Sequence, residues 1–493
     1  MVTRLQPSSK RSEVDGGDSK DHQQKCNGTN DGVSRFHLFL KWFTYKENIV
    51  VCAIAAIVFV LHLMMISKPA VFVFDEDFYV PAARSFLTGS GLLNPQHAPL
   101  GKLFIAAGIF IFGNNAVGWR IFSIIFGIAS IFIFYLIAVQ LCRKEITGDE
   151  ITALDSPVPP KKQSWFTMTT FVPVFATFLF AFENLSFVMA HFAMLDVFYV
   201  TFMLLGFLLY LRGNYWWCGV AMALSMLCKI IAFMAILAII FHWAITRRHE
   251  IVAETRHLLY SLRGKKELFH YRALWDMTKI LITIVVLWVV LLPIMEYPAA
   301  RQFLNPVSRT IYMIRYHLRI TVTADSSPLS SQPWSWIIHP TSIIYWPASL
   351  AYVSGHFALV INSVNPLYLA AISWNIWVLI IPVMLYLTYV VIRARAVKHN
   401  VATFSLSWFF GVYLLLIPLA LVTDRLMFTS YFYPAVPAVC LGIAWSAWKL
   451  WLNMKKEKKR RAIFLSLLTV YAVGTVVIFF FMSPFGGHFL FPG

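Results

Sequence analysis

Long apolar segments, separated by connections rich in Lys and Arg, constrain this sequence more than any other feature. Segments near the length needed to cross about 30 Å of hydrocarbon occur at 49–67, 118–141, 165–183, 195–211, 279–297, 366–392, 402–423, 430–450 and 462–482. The segment 215–245 is too long for one span and carries Lys229 near its middle, so we divide it into two spans that turn there. The sequence therefore predicts an all-α polytopic membrane protein with about eleven transmembrane helices.

The composition excludes a soluble globule. Hydrophobic residues make up 59% of the 493 residues and charged residues only 13%, which leaves too little polar surface to cover a soluble domain of this size. The formal net charge of +18 is spread over the connections between apolar segments instead of one solvated face. We therefore expect membrane lipids, and no nucleic acid, among its partners. The six cysteines have no metal-ligand or paired spacing, so they indicate neither a disulfide nor a compartment.

The positions of Lys and Arg predict which side of the membrane each connection faces. Dense basic stretches occur before residue 49 and at 143–162, 247–279, 393–398 and 449–461. With eleven spans and a cytoplasmic N-terminus, all of these stretches are cytoplasmic, as the positive-inside rule requires. The connections 68–117 and 299–365 then face the extracytoplasmic side, where we expect the active site.

Two further expectations concern domain organisation. Residues 1–45 are polar, rich in Gly and Ser and without apolar periodicity, so we expect a disordered cytoplasmic tail before one transmembrane domain at 46–493. Within the first outer loop, Leu103–Phe112 is apolar but too short to cross, and Asp77–Leu87 has helical character. We expect Asp77–Leu87 to be a helix in the outer interface of the membrane, and Leu103–Phe112 either to lie in this interface or to re-enter the membrane.

Three adjacent carboxylates follow the first span directly. The stretch 74–102 reads FDEDFYVPAARSFLTGSGLLNPQHAPLGK and places Asp75, Glu76 and Asp77 among aromatic residues. These carboxylates could simply end the first helix. Crowded carboxylates in a partly apolar cleft can also have a pKa near neutrality, which suits a general base. An Asp-x-Asp pattern can instead hold a divalent cation, with His97 as a third ligand, and this alternative stays open.

The sequence has no P-loop and no Gly-rich dinucleotide fingerprint. A cytoplasmic nucleotide-sugar donor is therefore poorly supported. A general base on the outer face of a membrane suits transfer onto a hydroxyl or an amine from a lipid-linked donor.

Five ordered blocks of sequence resemble those of the protein O-mannosyltransferase family. They are FDEDFYVPAARSF with HAPLGK, then GWR at 118–120, ENLSFVMAHFAMLDVFYV at 183–200, SSPLSSQPWSWIIHP at 326–340 and DRLMFTSYFYPAVP at 424–437. The blocks extend over nearly the whole chain from the first span onward. The resemblance implies a GT-C membrane fold and a donor of the polyprenyl-phosphate-sugar type.

The resemblance also implies roles for particular residues. Asp75 matches the catalytic carboxylate, with Glu76 beside it. The residues expected at the acceptor or sugar are His97, Glu183, Asp196, Trp334 and Trp336.

Cations are expected near the leaving phosphate, because that group departs as an anion. The candidates are Lys102, Arg120, Lys229 and Arg425. Lys229 could instead extend to the lipid headgroups, Arg425 could pair with Asp424, and the two tryptophans could belong to an interfacial belt.

The resemblance has two departures. Ala98 stands where the family usually has Pro, and the loop 299–365 is too short for the luminal β-trefoil domain of eukaryotic members. The chain thus resembles a minimal prokaryotic-type member, in a plasma membrane, or in the endoplasmic reticulum if the source is eukaryotic.

We expect transfer of mannose from polyprenyl phosphate to Ser or Thr hydroxyls of secreted or membrane proteins, with inversion. One alternative is glycosylation of a lipid or an envelope glycan, as in aminoarabinose transferases. A transporter fits less well, because the ionisable residues gather at the ends of the spans.

Overall fold

The computed structural model describes residues 45–150, 167–262, 271–322, 330–339, 342–346, 348–353, 356–361, 368–393, 399–454 and 457–485. The chain divides into two compact units, residues 1–49 and 50–493. Of the first unit only residues 45–49 are described, and they include the start of helix α1. The predicted tail therefore lies almost wholly outside the described residues, and its disorder stays a prediction.

All regular structure among the described residues of the first half of the chain is helical. Its apolar segments form helices because hydrocarbon offers no partner for backbone N–H and C=O groups, which must bond within the segment. The helices are α1 Lys46–Met65, α2 Glu76–Thr88, α3 Leu100–Phe112, α4 Ala116–Glu150, α5 Met168–Ala181, α6 Asn184–His191, α7 Leu195–Leu211, α8 Tyr215–Cys228, a 3₁₀ turn Ile230–Ala232, α9 Phe233–Thr246 and α10 Arg248–Leu262.

The second half adds eight helices and four short strands among the described residues. The helices are α11 Arg272–Ala300, α12 Pro306–Arg319, α13 Ser335–Ile338, α14 Trp374–Arg393, α15 Asn400–Phe409, α16 Leu416–Thr423, α17 Val436–Asn453 and α18 Lys458–Met482. A π-helical turn joins α15 to α16, and a 3₁₀ helix, Thr429–Ala435, precedes α17.

The four strands were not expected from the sequence, which predicted only helices. β1 (Ser342–Trp346) pairs antiparallel with β4 (Tyr368–Ala371), and β2 (Ala348–Val353) pairs antiparallel with β3 (His356–Ile361). Because β4 is a strand, the span predicted to begin at residue 366 begins at Trp374 instead. The apolar run continues through both elements, so hydropathy alone does not separate them.

Seven helices of the described chain are long and apolar enough to cross a membrane, and nine spans result if two bent pairs each count as one. The bent pairs are α5 with α6, at 59°, and the Ile230–Thr246 segment with α10, at 88°. The helices α7 and α8 are apolar but shorter. The break predicted near Lys229 is present, since Lys229 has an extended backbone between α8 and the 3₁₀ turn. The chain is thus a multi-pass integral membrane protein, and the count of eleven spans stays a prediction.

Two short helices follow α1, as expected for the first outer loop. The predicted helix Asp77–Leu87 is α2, Glu76–Thr88, and the predicted Leu103–Phe112 is contained in α3, Leu100–Phe112. With 13 residues, α3 is about 20 Å long and too short to cross hydrocarbon. A Cβ on Gly108 of α3 would lie 2.2 Å from the carbonyl oxygen of Gly118, so the glycine lets α3 approach the start of α4 closely. The location of α2 and α3 in the membrane interface stays a prediction.

Candidate active site

Asp75 lies at the N-cap position of α2, directly after a residue with unusual backbone geometry. Phe74 has a φ of 52°, in the left-handed region that few non-glycine residues adopt. The N–H groups of Glu76 and Asp77 donate to the carbonyls of Val73 and Phe74. The carboxylate of Asp75 makes no capping hydrogen bond to α2. It is therefore available to other groups.

The environment of Asp75 suits a group that takes up a proton near neutral pH. Its Oδ2 accepts a hydrogen bond from the Tyr79 hydroxyl at 3.1 Å, since Tyr79 lies one helical turn further along α2. Burial raises the pKa of Asp75 to about 6; the charges of Asp196 and Asp77 act in the same direction, while Lys229 and the Tyr79 hydrogen bond oppose it. An ordinary aspartate has a pKa of about 3.9, so this carboxylate is a stronger base than an exposed one.

Lys229 forms a buried ion pair with Asp196. Its Nζ lies 3.0 Å and 2.8 Å from the two carboxylate oxygens, and 5.4 Å from the ring centroid of Tyr431. Asp196 is in the first turn of α7, where the helix dipole favours a carboxylate. This ion pair holds the cation at the break between α8 and the 3₁₀ turn, so Lys229 does not extend freely into the headgroups as one alternative supposed.

Arg425 is held by hydrogen bonds to His317 and Tyr431. Its Nη1 donates to the backbone carbonyl of His317, and its Nη2 lies 3.2 Å from both His317 Nδ1 and the Tyr431 hydroxyl. An isolated antiparallel bridge between Thr321 and Arg425 fixes the backbone beside these contacts. Arg425 Nε is buried and has no hydrogen-bond partner within the described chain. The guanidinium of Arg425 therefore contacts both His317 and Tyr431.

The ring of His97 packs between the ring of Tyr79, in α2, and the ring of His317, which contacts Arg425. Its ring makes an edge contact with Tyr79, with centroids 5.5 Å apart, and lies 5.1 Å from the ring of His317. Burial, together with the nearby cations, lowers the pKa of His97 well below its ordinary value, so it is neutral near pH 7. His97 Nδ1 is buried and has no partner among the described residues. A buried polar atom without a partner is a place where a ligand can bind.

A cavity of about 530 Å³ is lined in part by His97, Lys229, His317, Arg425 and Tyr431. The polar part of its wall comprises His97, Lys229, Thr310, His317, Thr423, Arg425 and Tyr431. The remainder is apolar and includes Phe233, Ile284, Val285, Trp288 and Leu419. The cavity is of the size that binds small molecules. A wall that combines two cations with a large apolar surface suits an amphipathic ligand that carries an anionic group on a hydrocarbon chain.

Glu76 and Arg120 are fully buried and bonded to each other, which argues against the roles expected of them. Arg120 Nε and Nη2 lie 2.9 Å and 2.8 Å from the carboxylate oxygens of Glu76. Glu76 also accepts from the backbone N–H groups of Val73 and Ala193. Arg120 also donates hydrogen bonds through Nη1 and Nη2 to the backbone carbonyls of residues 66, 69 and 71. Neither side chain has a group left for a substrate, so we interpret the pair as holding the Asp75 loop against α4.

Lys102 likewise supports the loop and does not face the cavity. Its Nζ donates to the carbonyls of Asn94 and His97, at 2.8 Å and 2.9 Å, and it is fully buried. Arg309 of α12 donates to the carbonyl of Pro95 and pairs with Glu296. The turn that carries His97 is thus held by hydrogen bonds from both Lys102 and Arg309, and we interpret Lys102 as a residue that positions this turn.

The other candidate residues lie in different surroundings. Glu183 is buried and caps α6, accepting from Leu185 N, Ser186 N and Oγ, and Ser373 N. Trp336 is buried, and its Nε1 donates to Ser331. Trp334 is partly exposed. None of the three lines the cavity. We interpret Glu183 and Trp336 as structural residues, because both are buried and their polar groups are hydrogen-bonded within the described chain.

Among the described residues, no three His, Cys, Asp or Glu side chains gather as metal ligands, and this includes Asp75, Asp77 and His97. Three other residues complete the site without having been expected: Tyr79, His317 and Tyr431. The spacing of four residues between Asp75 and Tyr79 could have indicated the first. No sequence signal indicated His317, which is distant from the carboxylate loop along the chain.

The sequence comparisons identify relatives over part of the chain. A polyprenol-phosphate-mannose–protein mannosyltransferase of Mycolicibacterium smegmatis is 29% identical over 164 residues, 32% of this chain and 27% of the relative. A protein of the same name from Corynebacterium glutamicum is 33% identical over 142 residues, 26% of this chain and 22% of the relative. The matches thus span about a quarter of the relatives' length. No family model matches the chain. The resemblance drawn from the five sequence blocks is confirmed by these names.

The comparison of structures extends over nearly the whole chain. The Saccharomyces cerevisiae protein O-mannosyltransferase Pmt1-Pmt2 complex, solved with its sugar donor, has a TM-score of 0.64 to this chain, with 90% of each chain covered and 10% identity. This similarity shows the fold, and the expected GT-C architecture is confirmed.

Proposed function

From its similarity to polyprenol-phosphate-mannose–protein mannosyltransferases, we propose that this chain transfers mannose from a polyprenyl-phosphate donor to Ser or Thr hydroxyls of proteins, on the extracytoplasmic side. One observation carries the proposal: Lys229 and Arg425 line a largely apolar cavity, and the charge of Lys229 acts on Asp75, whose pKa is raised. A lipid-linked sugar has a matching distribution of charge and hydrocarbon.

The donor would bind with its phosphodiester at the polar end of the cavity. Lys229 and Arg425 supply positive charge there, and His97 Nδ1 and Arg425 Nε are buried atoms without partners in the described chain. The prenyl chain would follow the apolar wall formed by residues such as Ile284 and Leu419. Hydrogen bonds between a charged donor and a phosphate contribute about 1.5 to 3 kcal/mol each.

Asp75 would act as the general base. It would remove the proton from the acceptor hydroxyl while the oxygen attacks the anomeric carbon, and the C–O bond to the phosphate would break. The polyprenyl phosphate leaves as an anion, so Lys229 and Arg425 need to stabilise charge and not to donate a proton. Attack from the side opposite the phosphate inverts the anomeric configuration.

Lys229 would have two effects in this mechanism. Its charge lowers the pKa of Asp75 and so limits the rise that burial causes. The same ammonium group lines the cavity where the phosphate would lie. Asp196 compensates the charge of Lys229 before the donor binds, which explains how a cation can be kept there in a buried environment.

Incubation of the purified protein with polyprenyl-phosphate-[¹⁴C]mannose, a Ser/Thr-rich peptide and membrane lipids tests the proposal. We expect label in the peptide fraction, and none when nucleotide-linked mannose replaces the lipid donor. Label in the lipid or glycan fraction alone would support the alternative acceptor and refute protein mannosylation. No transfer to any fraction would refute the donor as well.

A further inference from the structure

Helix α12 presents an apolar stripe to its surroundings. Val307, Ile311, Ile314 and Leu318 follow a spacing of four, three and four residues, which places them on one helical face. All four are exposed, Val307 by 61% and Leu318 by 51%. Met313 is the buried residue of this helix. Such a stripe on a helix next to a membrane span is a candidate for contact with lipid.

A basic edge runs beside this stripe. Arg315 and Arg319 are exposed, and at 100° per residue they lie about 100° around the helix from Ile314 and Leu318. The helix PVSRTIYMIRYHLR contains no Asp or Glu. Arg309 pairs with Glu296, whereas Arg315 and Arg319 have no ion pair within the described chain. An apolar stripe flanked by arginines is the pattern of a helix that lies at an anionic membrane surface.

The position of α12 in the fold agrees with such a surface. The 29-residue apolar helix α11 ends at Ala300, and α12 begins at Pro306. A connection of five residues extends at most about 17 Å, so α12 must start near the end of a membrane span. Asn305 caps α12 by accepting from Val307 N and Ser308 N, which fixes where the helix begins.

The stripe is continuous with the wall of the cavity. Ile314 and Leu318 line the cavity together with Thr310 and His317, whereas Val307 and Ile311 lie further along the same face. The same helix therefore has an inner side in the cavity and an apolar edge outside it.

We propose that the outer edge of α12 binds anionic phospholipids. The stripe formed by Val307, Ile311, Ile314 and Leu318 inserts into the interface, and Arg315 and Arg319 bind lipid phosphates beside the cavity. This binding does not depend on the proposed function. Only its consequence, a locally raised concentration of the phosphate-bearing donor, rests on that function.

Lipid binding by the purified protein tests the charged part of the surface. The protein is titrated with phosphatidylglycerol and, separately, phosphatidylcholine, and bound lipids are counted by native mass spectrometry. In the double variant Arg315→Gln/Arg319→Gln we expect phosphatidylglycerol binding to weaken by about fivefold for each arginine removed. The matched Arg315→Lys/Arg319→Lys variant should bind nearly as the wild type does. Unchanged phosphatidylglycerol binding in the Gln variant would overturn the proposal.

Fluorescence quenching tests the apolar part. An environment-sensitive thiol probe on Ile311→Cys should be quenched in nanodiscs by lipids brominated on the acyl chain, and a probe on Ser308→Cys, at the polar edge, much less. Wild-type protein treated in the same way gives the background from native cysteines. Equal and weak quenching at both positions, or protection of Ile311→Cys only in a dimeric fraction, would show that lipid does not cover this face.

These measurements are independent of sugar transfer. If the transferase assay shows no transfer and phosphatidylglycerol still binds through Arg315 and Arg319, lipid binding by α12 is supported and the proposed function is refuted. If transfer occurs and the Gln variant keeps the wild-type donor KM in nanodiscs with and without phosphatidylglycerol, the surface has no role in donor entry.

Discussion

Lys229 Nζ lies 2.8 Å from Oδ2 of Asp196, and this ion pair connects the cavity with the base. Lys229 lines the cavity, and its charge lowers the pKa of Asp75, whereas the charge of Asp196 raises it. The two partners therefore act on Asp75 in opposite directions. Each can be removed separately, so the site can be tested through the pH dependence of transfer.

The pH dependence should show an acidic limb near the pKa of Asp75, which is about 6. A general base acts only when it is deprotonated, so kcat/KM should rise as the pH increases through this value. Lys229→Met removes a charge that lowers the pKa, and the limb should move to higher pH. Asp196→Asn removes a charge that raises the pKa, and the limb should move to lower pH. Shifts in the same direction for both variants would contradict this electrostatic account.

Asp75→Asn should abolish most of the chemical step. The amide keeps the shape of the carboxylate but cannot take up the proton, so the single-turnover rate should fall by roughly 10²-fold or more, while donor binding is retained. Asp77→Asn is the matched control, because Asp77 lies in the first turn of α2, where a carboxylate is favoured by the helix dipole. Near wild-type transfer by Asp75→Asn with an inactive Asp77→Asn would assign the base to Asp77.

His317 should act on the donor through Arg425, whose guanidinium it contacts through Nδ1. Arg425→Met should weaken binding of polyprenyl phosphate by about 1.5 to 3 kcal/mol. His317→Ala should weaken it less, and His317→Asn, which keeps an acceptor near Nδ1, less still. In a double-mutant cycle, the effects of His317→Ala and Arg425→Met should not add. Additive effects on the measured Kd would show that His317 acts independently.

Glu76→Gln should destabilise the protein strongly. It leaves the buried guanidinium of Arg120 without its counter-charge, and breaking a buried pair in this way costs about 3 to 5 kcal/mol. The control is Glu457→Gln, which breaks an exposed pair with Arg460 and should cost less than about 1 kcal/mol. The thermal unfolding midpoints of the two variants in detergent provide the comparison. A smaller loss for Glu76→Gln than for Glu457→Gln would refute a structural role for the buried pair.

The topology predicts that cysteines placed at Asn94 and Ser330 react with an impermeant thiol reagent added outside the cell. Cysteines at Thr152 and Gly264, two positions outside the described residues, should react only after permeabilisation. The basis is the segregation of Lys and Arg among the connections. Labelling of Ser330 and Gly264 from the same side would refute the count of eleven spans.

Much of the helical framework could be predicted from the sequence. In hydrocarbon, an apolar segment has to satisfy its backbone within itself, so hydropathy alone locates helices such as α1, α4 and α18. The break at Lys229 was predicted because the surrounding segment is too long for a single span. The strands β1 and β4 were missed, because their pairing depends on partners more than twenty residues apart, which a local pattern does not contain.

The candidate site, like the fold, could be predicted from the sequence only in part. A carboxylate cluster after a span is visible in the sequence, and it is the basis for proposing Asp75 as the general base. Four cations were equal candidates for the phosphate, and only the tertiary structure separates them. Arg120 pairs with Glu76, 44 residues away, and Lys102 bonds to backbone carbonyls, whereas Lys229 and Arg425 line the cavity. The physical reason is that a buried charge takes whichever partner the fold brings within hydrogen-bonding distance, and that distance is not encoded in the neighbouring residues.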